Sequence, residues 1–224
     1  MTNHLILVTN DDGIASDGLR AAVEALIPLG DVVVVAPDRQ WSGAGRAMPR
    51  QVSGKITPTP YETYMGIRVP AFAMDTSPAL CVIHAMLELL KRPPDLVVSG
   101  INYGENISTE ITISGTIGAA LEAAAFGIPA LAVSMSMPVS AHVEGSVLED
   151  YVAARAYTQR FARRMLDTRL PADVDVLSIN LPQGATAETP WHLTKLSRCR
   201  YFIPLPPDRV NGCSSMWLCV KMRR

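Results

Sequence analysis

Two aspartates side by side, Asp11 and Asp12, close the apolar run of "LVTNDDGI". Adjacent carboxylates where a buried strand ends repel one another, and partial burial strengthens the repulsion. An Asp-Gly hairpin turn would tolerate the pair, but after Gly13 the apolar residues recur at helical spacing. A divalent cation between the carboxylates would remove the repulsion. Similar chemistry follows the other strand-like runs. Asn10 precedes the pair; Asp38, Ser42, Gly43 and Gly45 lie in "PDRQWSGAGR"; Asn102, Tyr103, Gly104, Glu105 and Asn106 lie in "INYGEN". Ser114, Gly115 and Thr116 open "SGTIGA", and Ser134 and Ser136 end "ALAVSMS". No histidine or cysteine joins these oxygens at ligand spacing, which favours a hard cation, Mg²⁺ or Mn²⁺, with Ca²⁺ as a third candidate. "SGTIGA" offers helix-start amides, two hydroxyls and a helix dipole, which suit phosphate. A cation beside a phosphate pocket is the apparatus of phosphoryl hydrolysis.

Each piece alone has an ordinary reading. Asp-Asp-Gly is a solvated turn, Ser-Gly-Thr a helix N-cap, Asn102 and Asn106 loop residues that satisfy backbone. Glu105 and Glu110 read as solvated charges. His4, His84, His142 and His192 share no ligand spacing and read as structural or exposed. What lifts the set is its gathering on one rim, because open α/β sheets bind ligands outside the carboxyl ends of their strands.

The elements that must build that rim follow from periodicity. Leu5–Thr9 and "VVVVA" (32–36) read as buried parallel strands. Between them a helix capped by Ser16 or Asp17 uses Leu19, Ala22, Val23, Leu26 and Ile27, and ends at Pro28 and Gly30. Residues 51–72 read as a small β excursion. A helix over 78–91 turns Leu80, Ile83, Leu87 and Leu90 inward. Leu96–Ser99 is a strand, followed by a polar loop to Ile113. A helix over 114–126 turns Ile117, Ala120, Leu121 and Ala124 inward. "GIPALAVSM" is a strand, Val147, Tyr151, Ala154, Phe161 and Met165 mark a long helix, and Val174–Asn180 is a further strand. "CSSMWLCVKM" reads as one edge strand. The alternation argues for an α/β fold: a mostly parallel doubly wound sheet, with a small β excursion and an irregular C-terminal extension.

Bulk properties narrow the function. A chain of 224 residues with 48% apolar content accommodates one sizeable core. Net charge −1 gives no field for a nucleic-acid polymer or an anionic membrane. Cys81, Cys199, Cys213 and Cys219 have no CxxC spacing and read as reduced thiols of a cytoplasmic protein. The N-terminus shows no leader pattern, and Ile117–Val133, broken by Glu122 and Pro129, is too short to span a bilayer.

Four ordered motifs, "ILVTNDDGI", "VVVVAPDRQWSGAGR", "DLVVSGINYGENI" and "ISGTIGAALEAAAFGIPALAVS", resemble the SurE family (survival protein E), metal-dependent 5'/3'-nucleotidases. Weaker likeness continues through "LSINLP" and "RYFIPLPP". The resemblance implies that Asp11, Asp12, Ser42 and Asn102 hold the metal. It also implies a Rossmann-like domain, hydrolysis of nucleoside 5'- and 3'-monophosphates, short polyphosphate for some members, and a homodimer or homotetramer built through a swapped C-terminal segment. Three departures stand out. Arg46 follows Gly45 where the family usually has histidine, Leu80 replaces an aspartate, and no "GYVSITPL"-like tail precedes Arg224.

The combined expectation is a phosphomonoesterase that acts by metal-activated water attack. Asp11 and Asp12 are its catalytic residues, and Asn10, Asn106, Ser114, Gly115 and Thr116 bind the phosphate and substrate. Residues 1–182 form the nucleotidase domain and 183–224 an extension for oligomerisation. The alternative is a catalytically weakened homologue that binds metal and phosphate without turnover. A dinucleotide-dependent oxidoreductase would need GxGxxG after the first strand, which "TNDDGIASDG" lacks. An aspartyl-phosphate phosphatase would space its aspartates by one residue, whereas here they are adjacent.

Overall fold

A computed structural model of the chain describes residues 4–137, 151–204 and 220–222. β1 (His4–Thr9) leads through α1 (Asp17–Leu26) to β2 (Gly30–Pro37). β3 (Ile56–Pro58) and β4 (Ala71–Met74) precede α2 (Pro78–His84). β5 (Leu96–Tyr103), α3 (Gly115–Ala125), β6 (Ala130–Met135), α4 (Val152–Asp167) and β7 (Val176–Leu181) complete the alternation. The sheet has seven strands in the order β3-β4-β2-β1-β5-β6-β7, parallel throughout except for β3.

Helices cover both faces, as a parallel sheet requires. Ile6, Val8, Val34 and Val98 pack with α1 and α4 through Leu19, Val23, Tyr151 and Tyr157. Leu7, Val35, Val97 and Ala132 pack with α2 and α3 through Cys81, Val82, Ile117 and Ala120. Successive strand residues thus feed opposite cores, and each fully buried valine or leucine contributes about 1.5–3 kcal/mol. Ser16 caps α1 by accepting the Leu19 amide at 3.3 Å.

Several expectations change. The "excursion" is part of the main sheet: β4 pairs parallel with β2, and β3 folds back on it as an antiparallel edge. α2 ends at His84 and continues as one wider turn over Ala85–Leu89. Its fully buried residues include Ala79, Cys81 and Val82, with Ala85 in the turn beyond, while Leu87 is exposed. In α3 the inward residues include Ala119, Ala120 and Ala123, and Leu121 faces solvent. In both helices small side chains face the sheet, because close helix–sheet approach favours alanine over leucine there. The polar loop after β5 is shorter than expected, since β5 runs to Tyr103 and a 3₁₀ turn occupies Ser108–Thr112. Val147 lies outside the described residues. Of "CSSMWLCVKM" only Val220–Met222 is described. It forms β9, which pairs antiparallel with β8 (Phe202–Pro204) in a separate two-stranded ladder, so it is no edge of the main sheet.

The strand order fixes where a ligand goes. From β1 the chain winds outward to β2 and β4 on one side, and from β5 to β6 and β7 on the other. The reversal, and with it a crevice, falls between the carboxyl ends of β1 and β5. Those ends carry Asp11, Asp12 and Asn102.

Candidate metal and phosphate site

The turn after β1 is clamped on every side. Asn10 is fully buried, and its Nδ2 donates to the Gly13 carbonyl (3.1 Å) and to Ser16 Oγ (2.6 Å). Gly13 takes φ +95°, a left-handed conformation that L side chains rarely adopt. The Ile14 amide donates to the Pro37 carbonyl at 2.8 Å, and the Trp41 amide to the Asp11 carbonyl at 2.7 Å. The sequence thus spends Asn10 on shaping the turn from beneath.

Asp11 is buried against the start of α3. Its Oδ1 accepts from Thr116 Oγ1 at 2.5 Å, and the nearby backbone of Gly115 and Thr116 also favours its charged form. Asp12 is half-buried; its Oδ2 accepts from the Tyr103 amide at 3.3 Å and its Oδ1 from Gln40 Nε2 at 3.4 Å. Burial raises the Asp11 carboxyl above its ordinary value despite these contacts. Burial, then the Asp11 charge, pushes Asp12 up to about 8. Both shifts favour a proton on the pair when no cation is bound.

That proton makes a linkage prediction. In the unfolded chain both groups ionise near 3.8. Between that value and about 8 the folded state binds more protons than the unfolded, so stability of the cation-free protein falls as pH rises through this window. A cation that replaces the proton should therefore stabilise more at higher pH. Calorimetry with saturating Mn²⁺ is expected to give a larger rise in Tm at about pH 8 than at about pH 5.5. An equal rise at both would exclude these carboxylates as the ligands.

The other expected residues fall into two groups. Asn102 stands at the end of β5, one residue before the amide that holds Asp12. Its Nδ2 donates to the carbonyls of Gly104 (2.8 Å) and Tyr103 (3.2 Å), and its Oδ1 accepts no hydrogen bond among the described residues. Ser42 is exposed in a loop pinned at both ends, by Trp41 on Asp11 and by the Gly45 amide on the Ile113 carbonyl (2.8 Å). Ser114 caps α3 by accepting the Ile117 amide at 3.1 Å, and Gly115 and Thr116 meet Asp11. Asn106 lies further along the rim. Its Nδ2 donates to Ser134 Oγ and its backbone N–H to Asn180 Oδ1, each at 2.8 Å, linking β6 and β7.

The roles of Gln40, Glu110 and Arg46 escaped the sequence reading. Gln40 reaches Asp12 although nothing in its local pattern marks it. Glu110 is not a solvated charge. It is buried and accepts the Tyr201 and Phe202 amides at 3.2–3.3 Å, while the Tyr201 hydroxyl donates to Glu105 at 2.5 Å. Arg46 pairs through Nε with the buried Glu122 carboxylate on α3 at 2.5 Å. Nothing beside Arg46 in the sequence marks that role; the one signal was an acidic residue on the inward face of "GAALEAAA". Arg46→Ala strands Glu122 and is expected to cost about 2 kcal/mol, less than a fully buried pair because the arginine is half exposed. Urea unfolding measures it; a change within about 0.5 kcal/mol would make the pair ornamental.

Two carboxylates that repel when alone, an amide oxygen with no hydrogen bond among the described residues and a loop hydroxyl would together suit a hard cation. Among the described residues no three His, Cys, Asp or Glu side chains gather as a metal cluster, so any ion here relies on neutral oxygens beside the two aspartates. No described helix is long and apolar enough to cross a membrane.

The chain is similar to known proteins over most of its length. The family model described as "Survival protein SurE" matches residues 6–202. A protein named 5'-nucleotidase SurE from Thermococcus gammatolerans is 45% identical over 208 residues, covering 92% of this chain and 75% of the relative. One of the same name from Methanocella arvoryzae is 44% identical over 200 residues, covering 88% and 73%. The crystal structure of the Sure protein from Aquifex aeolicus superposes with a TM-score of 0.70 at 31% identity, covering 90% of this chain and 75% of that one.

Proposed function

Because this chain belongs to the survival protein SurE family, we propose that it is a metal-dependent 5'-nucleotidase that hydrolyses nucleoside 5'-monophosphates to nucleoside and phosphate. It acts on 3'-monophosphates and short polyphosphate as further substrates. The observation that carries the reading is the adjacent Asp11–Asp12 pair at the sheet's switch point, with Asp11 buried and seated on the start of α3.

Asp11, Asp12, Ser42 and Asn102 would hold Mg²⁺ or Mn²⁺. A bound divalent cation polarises a phosphoryl oxygen and lowers the pKa of the attacking water. The chain's own residues do the rest. The Thr116 hydroxyl fixes the Asp11 carboxylate beside the start of α3, so its charge is already oriented for the reaction. The Gly104 carbonyl fixes the Asn102 amide and leaves its oxygen as the free end. Asp12, the less buried carboxylate and held by longer contacts, is the one free to exchange a proton. Ser114 Oγ accepts the Ile117 amide, so its proton is available to a phosphoryl oxygen. Gly115 and Thr116 shape the wall beside it, and Asn106 extends the rim toward the rest of the substrate. Asn10 acts through the turn that it shapes.

Metal-stripped protein assayed on nucleoside monophosphates, with Mn²⁺, Mg²⁺ or Ca²⁺ restored singly, tests the reading. Phosphate release that returns with a cation supports it. Folded protein that releases none with any cation would sink it.

Residues 1–182 serve as the nucleotidase domain and 183–224 as an extension that joins copies into a dimer or tetramer. Support comes from Trp191, Leu193 and Leu196 in this extension, which expose 59%, 92% and 57% of their surface. Light scattering on the eluting protein tests it, and a monomer at micromolar concentration would refute it.

A further inference from the structure

The loop after β2 holds an aromatic ring for which the phosphoryl chemistry has no use. Trp41 lies between Gln40, whose amide reaches Asp12, and Ser42. Its backbone N–H donates to the Asp11 carbonyl at 2.7 Å, so the indole is rooted on the residue at the centre of the site. The Arg39 guanidinium carbon lies 5.4 Å from the indole centroid. That guanidinium is itself pinned, by Asp75 at 2.7 Å and Asp38 at 3.1 Å. Asp75 in turn accepts from Ser53 Oγ at 2.6 Å. The ring is therefore held on one side by a braced cation, an arrangement that costs little to keep rigid. Beside it opens a cleft of about 360 Å³, lined by residues 39–44 and Ala47.

The lining consists of a half-buried indole, a guanidinium, a primary amide and small residues around Ser42. Such a surface suits a flat, uncharged, hydrogen-bonding ring system. A base–aromatic stack tolerates every base because each has a π-face. We propose that Trp41 is the platform for the nucleobase, and that it sets a preference for nucleoside monophosphates over phosphomonoesters without a base. This rests on the phosphomonoesterase reading above and adds its specificity determinant. It predicts weak discrimination among bases and strong discrimination against their absence.

The test compares kcat/KM for AMP and for ribose 5-phosphate in the intact, cation-loaded protein. The wild type is expected to favour AMP. Trp41→Ala should cut the ratio about ten-fold, the size of one lost base–aromatic stack, chiefly through KM. Trp41→Phe should keep most of it. A ring that only braces the loop would lower both substrates together and leave the ratio unchanged, which overturns the proposal.

A second arm needs no variant at Trp41. The chain has three tryptophans, and in the Trp191→Phe/Trp217→Phe protein only Trp41 emits. AMP and adenosine should quench that emission and ribose 5-phosphate should not; an equal response to all three overturns the platform. A wild type that hydrolyses both phosphates equally well refutes the platform alone. One that hydrolyses neither refutes the enzymatic reading, and the quenching arm then decides the platform by itself.

Discussion

Asp11→Asn is expected to abolish metal-dependent phosphate release, lowering kcat/KM by on the order of a thousand-fold or more, while the protein stays folded. The substitution keeps the shape of the side chain and an oxygen that can still face Thr116 Oγ1, now 2.5 Å from Oδ1. It removes the charge that would balance half of a divalent cation. It also removes the Coulombic repulsion that helps to push Asp12 up to about 8. Asp12 should then ionise more readily, and the cation-free mutant should be at least as stable as the wild type near neutral pH. Calorimetry of metal binding, thermal unfolding without cation and turnover with Mn²⁺ or Mg²⁺ give three separate readouts. Near-normal turnover with added Mg²⁺ would remove Asp11 from the site. Lost turnover with a collapsed Tm would instead make it a folding residue.

Gly115→Ala is the second large effect. Helix propensity alone favours alanine over glycine by about 1 kcal/mol inside a helix. Position 115 opens α3 against Asp11, however, and a Cβ there would lie 2.6 Å from Asp11 Cβ and 2.8 Å from Asp11 Oδ2. Neither atom can retreat. Asp11 is buried, bonded to Thr116 Oγ1, and its carbonyl is held by the Trp41 amide at 2.7 Å. The overlap outweighs the propensity. The expected cost is about 2 kcal/mol of stability. Moving the carboxylate by even a fraction of an ångström should lower kcat/KM by about a hundred-fold. Thermal unfolding and steady-state kinetics check it together. Unchanged kcat/KM would mean that the close approach of α3 does not position Asp11.

Several departures from the sequence reading share one cause. Leu87 and Leu121 fit the helical period, yet they face solvent, while Ala85, Ala119 and Ala123 face the sheet. Periodicity ranks residues by hydrophobicity, but close helix–sheet approach ranks them by size. Residues 51–72 looked like an excursion because β3 and β4 are short and proline-flanked. Only pairing with β2 makes β4 a strand of the main sheet. Glu110 looked solvated because its neighbours in sequence are polar, and the groups that bury it arrive from residues 201 and 202.

By itself the sequence determined the alternation of strands and helices and the Asp-Asp turn after β1. It also offered Ser16 or Asp17 as the cap of α1 and Ser114 as the cap of α3, and it gathered oxygen donors at strand ends. Each of these is written in residues a few positions apart, where periodicity, capping and turn chemistry act. Only the tertiary structure decided that the strand order reverses between β1 and β5, which opens the crevice at those donors. Only it seated Asp11 on Thr116, 105 residues away, and Asp12 on the Tyr103 amide, 91 residues away. It alone braced Trp41 and answered Arg46 with Glu122, 76 positions on. Such pairings follow from which elements stack and how closely, a property of the packed sheet and its helices that no local stretch of chain encodes.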